Sequence, residues 1–231
     1  MNCWCGGKTR PSFHPEYSEC EQCGTFVSNV VTPLGFYGFD YYWHERQDKI
    51  NGFPPIEKRA ETDMEDRVPY QWGLVKDFSM SSVFEIGCSH GGFLYKCQKE
   101  GIPFCLGMEV SEGTAAFAKE RFGINVMVGK FPEDSMGMKD IFDVVCGFDV
   151  LEHMRDPLKA LGRMKELGRH VVVQVPLRQK NNSRGFVGIA HQYVFTKDSF
   201  QRLFSTAGLE ILKTCRGFFE GDCIQIGRTK R

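Results

Sequence analysis

The chain has no excess charge of either sign: 29 Lys and Arg balance 29 Asp and Glu, for a formal net charge of zero. A long polyanion is gripped by a basic face that displaces counterions from its phosphates, so the balance disfavours a nucleic-acid partner. No apolar run approaches the ~20 residues of a membrane span. The opening "MNCWCGGKTRPSFHPEYSEC" lacks the basic-then-apolar order of a secretory signal. These absences point to a cytoplasmic chain with no membrane partner. Internal repeats and low-complexity tracts are missing too. What remains is globular: 231 residues, 42% hydrophobic and 25% charged, enough for one substantial core.

Cysteine is plentiful, but its ten positions are not spread like a disulfide framework. Six are scattered through apolar segments and read as buried reduced thiols, Cys105 and Cys146 inside candidate strands. The other four form two close pairs, Cys3 with Cys5 and Cys20 with Cys23, each followed by a glycine suited to a tight turn. Tetrahedral Zn²⁺ takes four such thiolates, and ligands paired on turns lower the entropy cost of assembling the site. His14 offers a substitute ligand for the less common C-x-C pair. Four protein ligands leave no open position, so this zinc is structural; redox-active or merely free cysteines are the alternative.

Three parts follow along the chain. Residues 1–30 form the cysteine-bearing head, and residues 31–80 an aromatic and then helical connector and cap. From residue 81 to 231 apolar runs alternate with helix-like segments. "EKRAETDMEDRVPYQWGLVKDF" reads as helix with a kink at Pro69. The strand candidates are "SVFEIG", "FCLGMEV", "INVMVG", "FDVVCGF" and "HVVVQVP", with helical spacing between them. Such alternation predicts an α/β fold with a mostly parallel sheet. After the helix "TKDSFQRLFSTAG", the runs "LEILKTCRGFF" and "DCIQIGRT" have no helix between them, which predicts an antiparallel edge hairpin.

In open α/β sheets ligands bind beyond the carboxyl ends of the strands. "SVFEIGCSHGGFL" supplies a first strand, a turn through Gly87, Cys88, Ser89 and Gly91, and the start of a helix. Glu85 near the strand end can accept hydrogen bonds or face a cation. Glu109 closes the second strand, where an acid grips ribose hydroxyls. A dinucleotide fingerprint places its glycines differently. S-adenosylmethionine has no pyrophosphate and carries a sulfonium cation, which suits an acid beside the turn.

These residues resemble the class I S-adenosylmethionine-dependent methyltransferases. "FEIGCSHGGFL" is similar to their first motif, with Ser89 in place of the middle glycine. "LGMEVS" resembles the second, which implies that Glu109 binds ribose with Val110 beside it. "VGKFPED" resembles the segment after the third strand, with Phe131 against adenine and Lys130 where an acid is usual. "FDVVCGFDVLEHMRDPLKAL" is similar to the fourth motif, with Phe148 and Asp149 at its strand end. "HQYVFTKDSFQRLFSTAGLEI" resembles the late segment leading into the last helix. The resemblance covers about residues 70 to 231 and implies a Rossmann-like, mostly parallel seven-stranded sheet. A zinc-ribbon-like head on such a domain resembles the zinc-containing sugar methyltransferases, implying a small-molecule acceptor, a sugar or sugar nucleotide. RNA or protein methylation with the head as docking module is one alternative; a catalytically silent cofactor-binding partner is another.

The cofactor's sulfonium already provides a good leaving group, so the protein must position the acceptor and remove its proton. His153 is either that base or a helix-orienting residue. His191, after the lid-like "NNSRGFVGIA", is either base or acceptor ligand, or an inert loop histidine. Asp149 and Glu152 either bind cofactor or acceptor, or stabilise a helix N-terminus. The cluster "FYGFDYYWHE" either packs a hinge or walls an acceptor pocket through Tyr41, Tyr42 and His44.

Overall fold

The computed structural model describes residues 2–33, 35–50, 54–139, 142–178 and 189–229. Three short strands open the chain: β1 (Thr9–Pro11), β2 (Tyr17–Cys20) and β3 (Phe26–Ser28). A π-helix, Asp40–Ile50, precedes helices α1 (Ile56–Glu65) and α2 (Arg67–Val75). Then β4 (Ser82–Ile86), α3 (Gly92–Lys99), β5 (Phe104–Glu109), α4 (Glu112–Phe122) and β6 (Asn125–Val128) alternate. The chain continues through β7 (Phe142–Phe148), α5 (Pro157–Leu167), β8 (Gly168–Pro176) and β9 (Tyr193–Val194). It closes with α6 (Lys197–Thr206), β10 (Leu209–Arg216) and β11 (Asp222–Thr229).

Seven strands form one sheet in the order β10-β11-β8-β7-β4-β5-β6. β4, β5 and β6 pair in parallel, while β11 runs antiparallel to both β10 and β8. The α/β class, the strand candidates and the edge hairpin are all as the sequence implies. A separate four-stranded sheet, β1-β2-β3-β9, holds the cysteine-bearing segment. Two compact units divide the chain: Met1–Pro33 with Gly147–Arg231, and Leu34–Cys146.

Local chemistry explains the helix ends. The Ser111 hydroxyl accepts from Thr114 N–H to start α4, Asp156 does the same for α5 with Pro157 in the first turn, and Thr196 and Ser199 cap α6 reciprocally. One reading is corrected. The break in "EKRAETDMEDRVPYQWGLVKDF" falls at Asp66, not Pro69. Asp66 leaves helical geometry at φ −132° and its carboxylate accepts from Arg67 N–H, starting α2 anew. Pro69 then stands in the first turn, where a backbone N–H has no helical partner to lose.

The core of residues 34–146 includes Phe84, Leu94, Met108, Ile124 and Phe142, with Phe84 stacked on Phe142 at 5.1 Å between ring centroids. In the other unit Tyr17, Phe26 and Val194 form a buried cluster where β3 meets β9. Of the six scattered cysteines, Cys88, Cys97, Cys105, Cys146 and Cys223 are buried and Cys215 half-buried, all with free thiols.

Candidate active site

Within residues 34–146 the β4–α3 corner is built from tightly held backbone. Gly87, Ser89 and Gly91 have φ of 66°, 49° and 80°. Gly87 and Cys88 donate their N–H groups to Met108 O at 2.8 and 3.2 Å. The Glu109 carboxylate accepts from Ser89 N–H and from Ser111 N–H, each at 3.1 Å. One acid thus braces both the β4–α3 and β5–α4 corners. Burial raises the Glu109 pKa, although the Ser111 and Ser89 N–H groups oppose this.

Glu85 is buried beneath the corner, and one of its oxygens is a buried acceptor with no hydrogen-bond partner among the described residues. Burial drives its pKa well up, against the pull of the Arg67 guanidinium. Cys88 is buried, Phe131 is 6.4 Å from Phe84 between ring centroids, and Val110 is exposed. Tyr42 sits half-buried in the π-helix, its ring 5.1 Å from that of Trp43, whose indole N–H donates to Thr114 Oγ1 at 3.0 Å. Phe36 and Trp43 are buried while Tyr41 is exposed, so this segment both packs and presents an aromatic face.

A buried pair under this corner lies outside any one motif that the sequence displays. His90 Nδ1 accepts from Gly92 N–H at 3.1 Å, so the ring proton lies on Nε2, which donates to Asp63 Oδ2 at 3.1 Å. Burial pushes the Asp63 pKa up, but the His90 hydrogen bond and the charges of Arg67 and Arg59 outweigh it and hold the carboxyl at about 2. A histidine inside the glycine-rich turn was the available signal; its partner, distant in sequence, gave none.

The second group of candidates lies in the unit of residues 1–33 and 147–231. Phe148 is buried at the end of β7, and Asp149 follows at φ 57°. Gln174 Nε2 donates to both Asp149 oxygens at 3.0 and 3.1 Å and to Asp222 Oδ2 at 3.1 Å. Gln174 and Asp222 were missed, though one amide in the apolar run "HVVVQVP" is itself a signal. Glu152 is fully buried. His153 Nδ1 lies 2.9 Å from Ala190 O, and Nε2 lies 3.8 Å from Glu152 Oε1. The His191 ring stands edge-on to His153 at 4.7 Å. Burial lowers the His153 pKa against the backbone oxygens that favour its proton. The lid-like "NNSRGFVGIA" lies, through residue 188, outside the described residues.

The head is tied to this histidine pair. β3 pairs with β9, Tyr17 OH donates to His191 O at 3.0 Å, and Gln192 N–H donates to Glu152 O at 2.8 Å. In the head itself Cys3 Sγ lies 3.6 Å from Cys23 Sγ, and Cys5 Sγ lies 3.5 Å from Cys20 Sγ. All four sulfurs fall within 4.8 Å of one another. Hydrogen bonding from Cys3 and Thr25 outweighs burial and lowers the Cys23 pKa to about 4. His14 is not in this cluster.

The residues fit S-adenosylmethionine by donor chemistry. Glu85 keeps a buried oxygen open at the corner, and Glu109 supplies a second carboxylate. At Gly91 an added Cβ would meet Ala118 at 3.1 Å, so the corner keeps its shape only with glycine there.

Comparison with known proteins is consistent with this geometry. A family model described as a methyltransferase domain matches residues 42–214. No curated protein matches the chain in sequence. Among solved structures it is similar to a chain from the complex of the Haloferax volcanii Trm112 methyltransferase activator and a methyltransferase. There the TM-score is 0.63 and the identity 15%, covering 75% of this chain and 93% of that one. It is also similar to the Synechocystis PCC 6803 magnesium protoporphyrin IX methyltransferase with bound SAH, at TM-score 0.57 and 14% identity over 74% and 84% of the chains. For an Archaeoglobus fulgidus SAM-dependent methyltransferase the values are 0.60 and 18% over 82% and 100%. At these identities the structural likeness speaks for the fold, and the family match covers most of the chain. The chain belongs to the methyltransferase-domain family and is an S-adenosylmethionine-dependent methyltransferase.

Proposed function

We propose that this enzyme methylates a small hydroxyl-bearing molecule, a sugar or sugar nucleotide, and that its head is a structural zinc site. The observation that carries the acceptor reading is the use made of the head. Its strand β3 is spent on β9, and Tyr17 holds the carbonyl of His191. A head engaged in this way supports bracing of the histidine pair rather than docking of RNA or protein. Zero net charge argues in the same direction.

S-adenosylmethionine, when bound, supplies an electrophilic methyl group on a sulfonium that leaves as a neutral thioether. We assign its binding to Glu85, Gly87, Cys88, Ser89, Gly91, Glu109, Val110 and Phe131, with Phe148 and Asp149 in the same proposed set. His191 and His153 act on the acceptor hydroxyl, whose proton must leave for its oxygen to become nucleophilic. Tyr42 contributes an aromatic wall for the acceptor. Cys3, Cys5, Cys20 and Cys23 hold Zn²⁺. Zn–S bonds of about 2.3 Å in a tetrahedron place sulfurs about 3.8 Å apart, close to the 3.5 and 3.6 Å of the two near pairs. On this reading residues 1–30 are the head, 31–80 the connector and cap, and 81–231 the cofactor-binding domain of a cytoplasmic enzyme.

Incubation with methyl-labelled S-adenosylmethionine tests the acceptor class. Label entering sugar nucleotides is the expected outcome, and label confined to RNA or protein overturns it. Metal analysis of protein purified without chelator should find one tightly held zinc per chain. A ratio near zero removes the zinc head.

A further inference from the structure

We infer that Glu152, His153 and His191 form a second metal site, for a divalent transition ion, separate in chemistry and place from the cysteine cluster. One donor atom from each lies within 4.8 Å of the other two. The three differ in kind from the four thiols: two imidazoles and one carboxylate, a set suited to Zn²⁺ or another first-row ion rather than to Mg²⁺ or Ca²⁺.

Three features argue for an ion rather than chance proximity. First, Glu152 is fully buried, so a cation held against its carboxylate is screened little by water and salt. Second, the Ala190 carbonyl at 2.9 Å from His153 Nδ1 is the outer partner that metal-binding histidines characteristically keep. That contact puts a proton on Nδ1 and turns Nε2 toward Glu152 Oε1, 3.8 Å away and beyond ordinary hydrogen-bond length. Metal–ligand bonds of about 2.1 Å in a tetrahedron set ligand atoms about 3.4 Å apart. The observed gap closes to that value with a shift of a few tenths of an ångström. Third, His191 is held from behind. Tyr17 OH donates to its carbonyl, and the next residue donates its N–H to Glu152 O. The same short stretch of chain is thus anchored to another of the three ligand residues.

Three protein ligands leave a coordination position open, the mark of a catalytic rather than structural ion. An ion here binds the acceptor's oxygen and lowers the pKa of its hydroxyl, so that the proton passes to water at neutral pH. This role rests on the methyl-acceptor reading given above, with His153 and His191 then acting on the hydroxyl through the ion they hold; occupancy of the site does not.

The test titrates full-length protein, its head loaded with Zn²⁺, with Co²⁺ and follows the absorption spectrum. The expected result is one further equivalent with visible ligand-field bands and no thiolate charge-transfer band. Glu152→Gln and His191→Ala, checked for native circular dichroism, should each weaken that uptake by more than about tenfold, the scale on which even outer-shell partners act. No second equivalent in the wild type, a thiolate band accompanying it, or unchanged uptake in either folded variant overturns the inference. Calorimetry with S-adenosylmethionine on the same samples separates the two readings. Cofactor binding without cobalt uptake removes only the metal site.

Discussion

Gly91 is a position where the β4–α3 corner has little room, and Gly91→Ala measures how little. Its φ of 80° is left-handed, which costs a side-chain-bearing residue about 1–2 kcal/mol. The added Cβ would also stand 3.1 Å from Ala118 Cβ and 3.3 Å from Ile124 Cγ1, both side chains fully buried and unable to swing into solvent. Crowding of that kind costs a further ~1–3 kcal/mol. Reduced freedom of the unfolded chain returns about 0.4–1 kcal/mol. The net loss is about 2–4 kcal/mol. Gly123→Ala is the control: φ is 69°, but an added Cβ meets nothing within 4 Å. It bears the backbone cost alone, about 1 kcal/mol or less. In urea unfolding followed by circular dichroism, a slope of about 2–3 kcal/mol per molar converts these to midpoint losses of roughly 1–2 M and under ~0.5 M. Equal shifts for the two variants would refute the claim that packing against Ala118 and Ile124 dictates glycine at the corner.

Acid titration tests the buried pair beneath the corner. Asp63 is held at about 2 from an ordinary 3.8 and is largely out of solvent, so its ionised form stabilises the fold by about 2 kcal/mol above pH 4. That contribution is lost as the pH falls from 4 through 2. Asp63→Asn should therefore be less stable than wild type at pH 7, with the gap closing by pH 2; a gap independent of pH contradicts the assignment. Tyr17→Phe removes the hydroxyl donated to His191 O and should cost about 1 kcal/mol in thermal or urea unfolding. It should also weaken uptake of Co²⁺ at the Glu152, His153 and His191 site severalfold, and unchanged uptake argues that the head does not brace His191. Asp143 Oδ2 accepts from both N–H and hydroxyl of Ser81 and Ser82, tying the start of β4 to β7. Asp143→Ala should lower stability by about 1–3 kcal/mol, and a midpoint within error of wild type would show those bonds to be replaceable by water.

Much of the fold was legible because its strands are short apolar runs bounded by glycine or polar residues. "FDVVCGF" and "DCIQIGRT" coincide with β7 and β11 to the residue. β9 was not legible: two residues carry no period, and its place in a sheet comes from pairing with Phe26 and Val27 across most of the chain. The helix break at Asp66 was misplaced because proline is read as a breaker at any helical position, while in a first turn it disrupts nothing. At the corner, the sequence pointed to Gly87, Ser89, Gly91 and Glu109 as one group, and backbone hydrogen bonds do link Glu109 to Ser89. The supports behind them escaped. Asp63 reaches His90, and Asp222 shares Gln174 with Asp149, only after the chain has folded. A polar residue's partner at long sequence separation leaves no local pattern to read.

The central claim is that the β4–α3 corner and Glu109 hold S-adenosylmethionine. Isothermal calorimetry of the full chain with S-adenosylmethionine and with its demethylated product tests it most directly. The account predicts saturable one-to-one binding of both, abolished in a folded Glu109→Ala variant. Binding to neither compound, or undiminished binding by that variant, would contradict it.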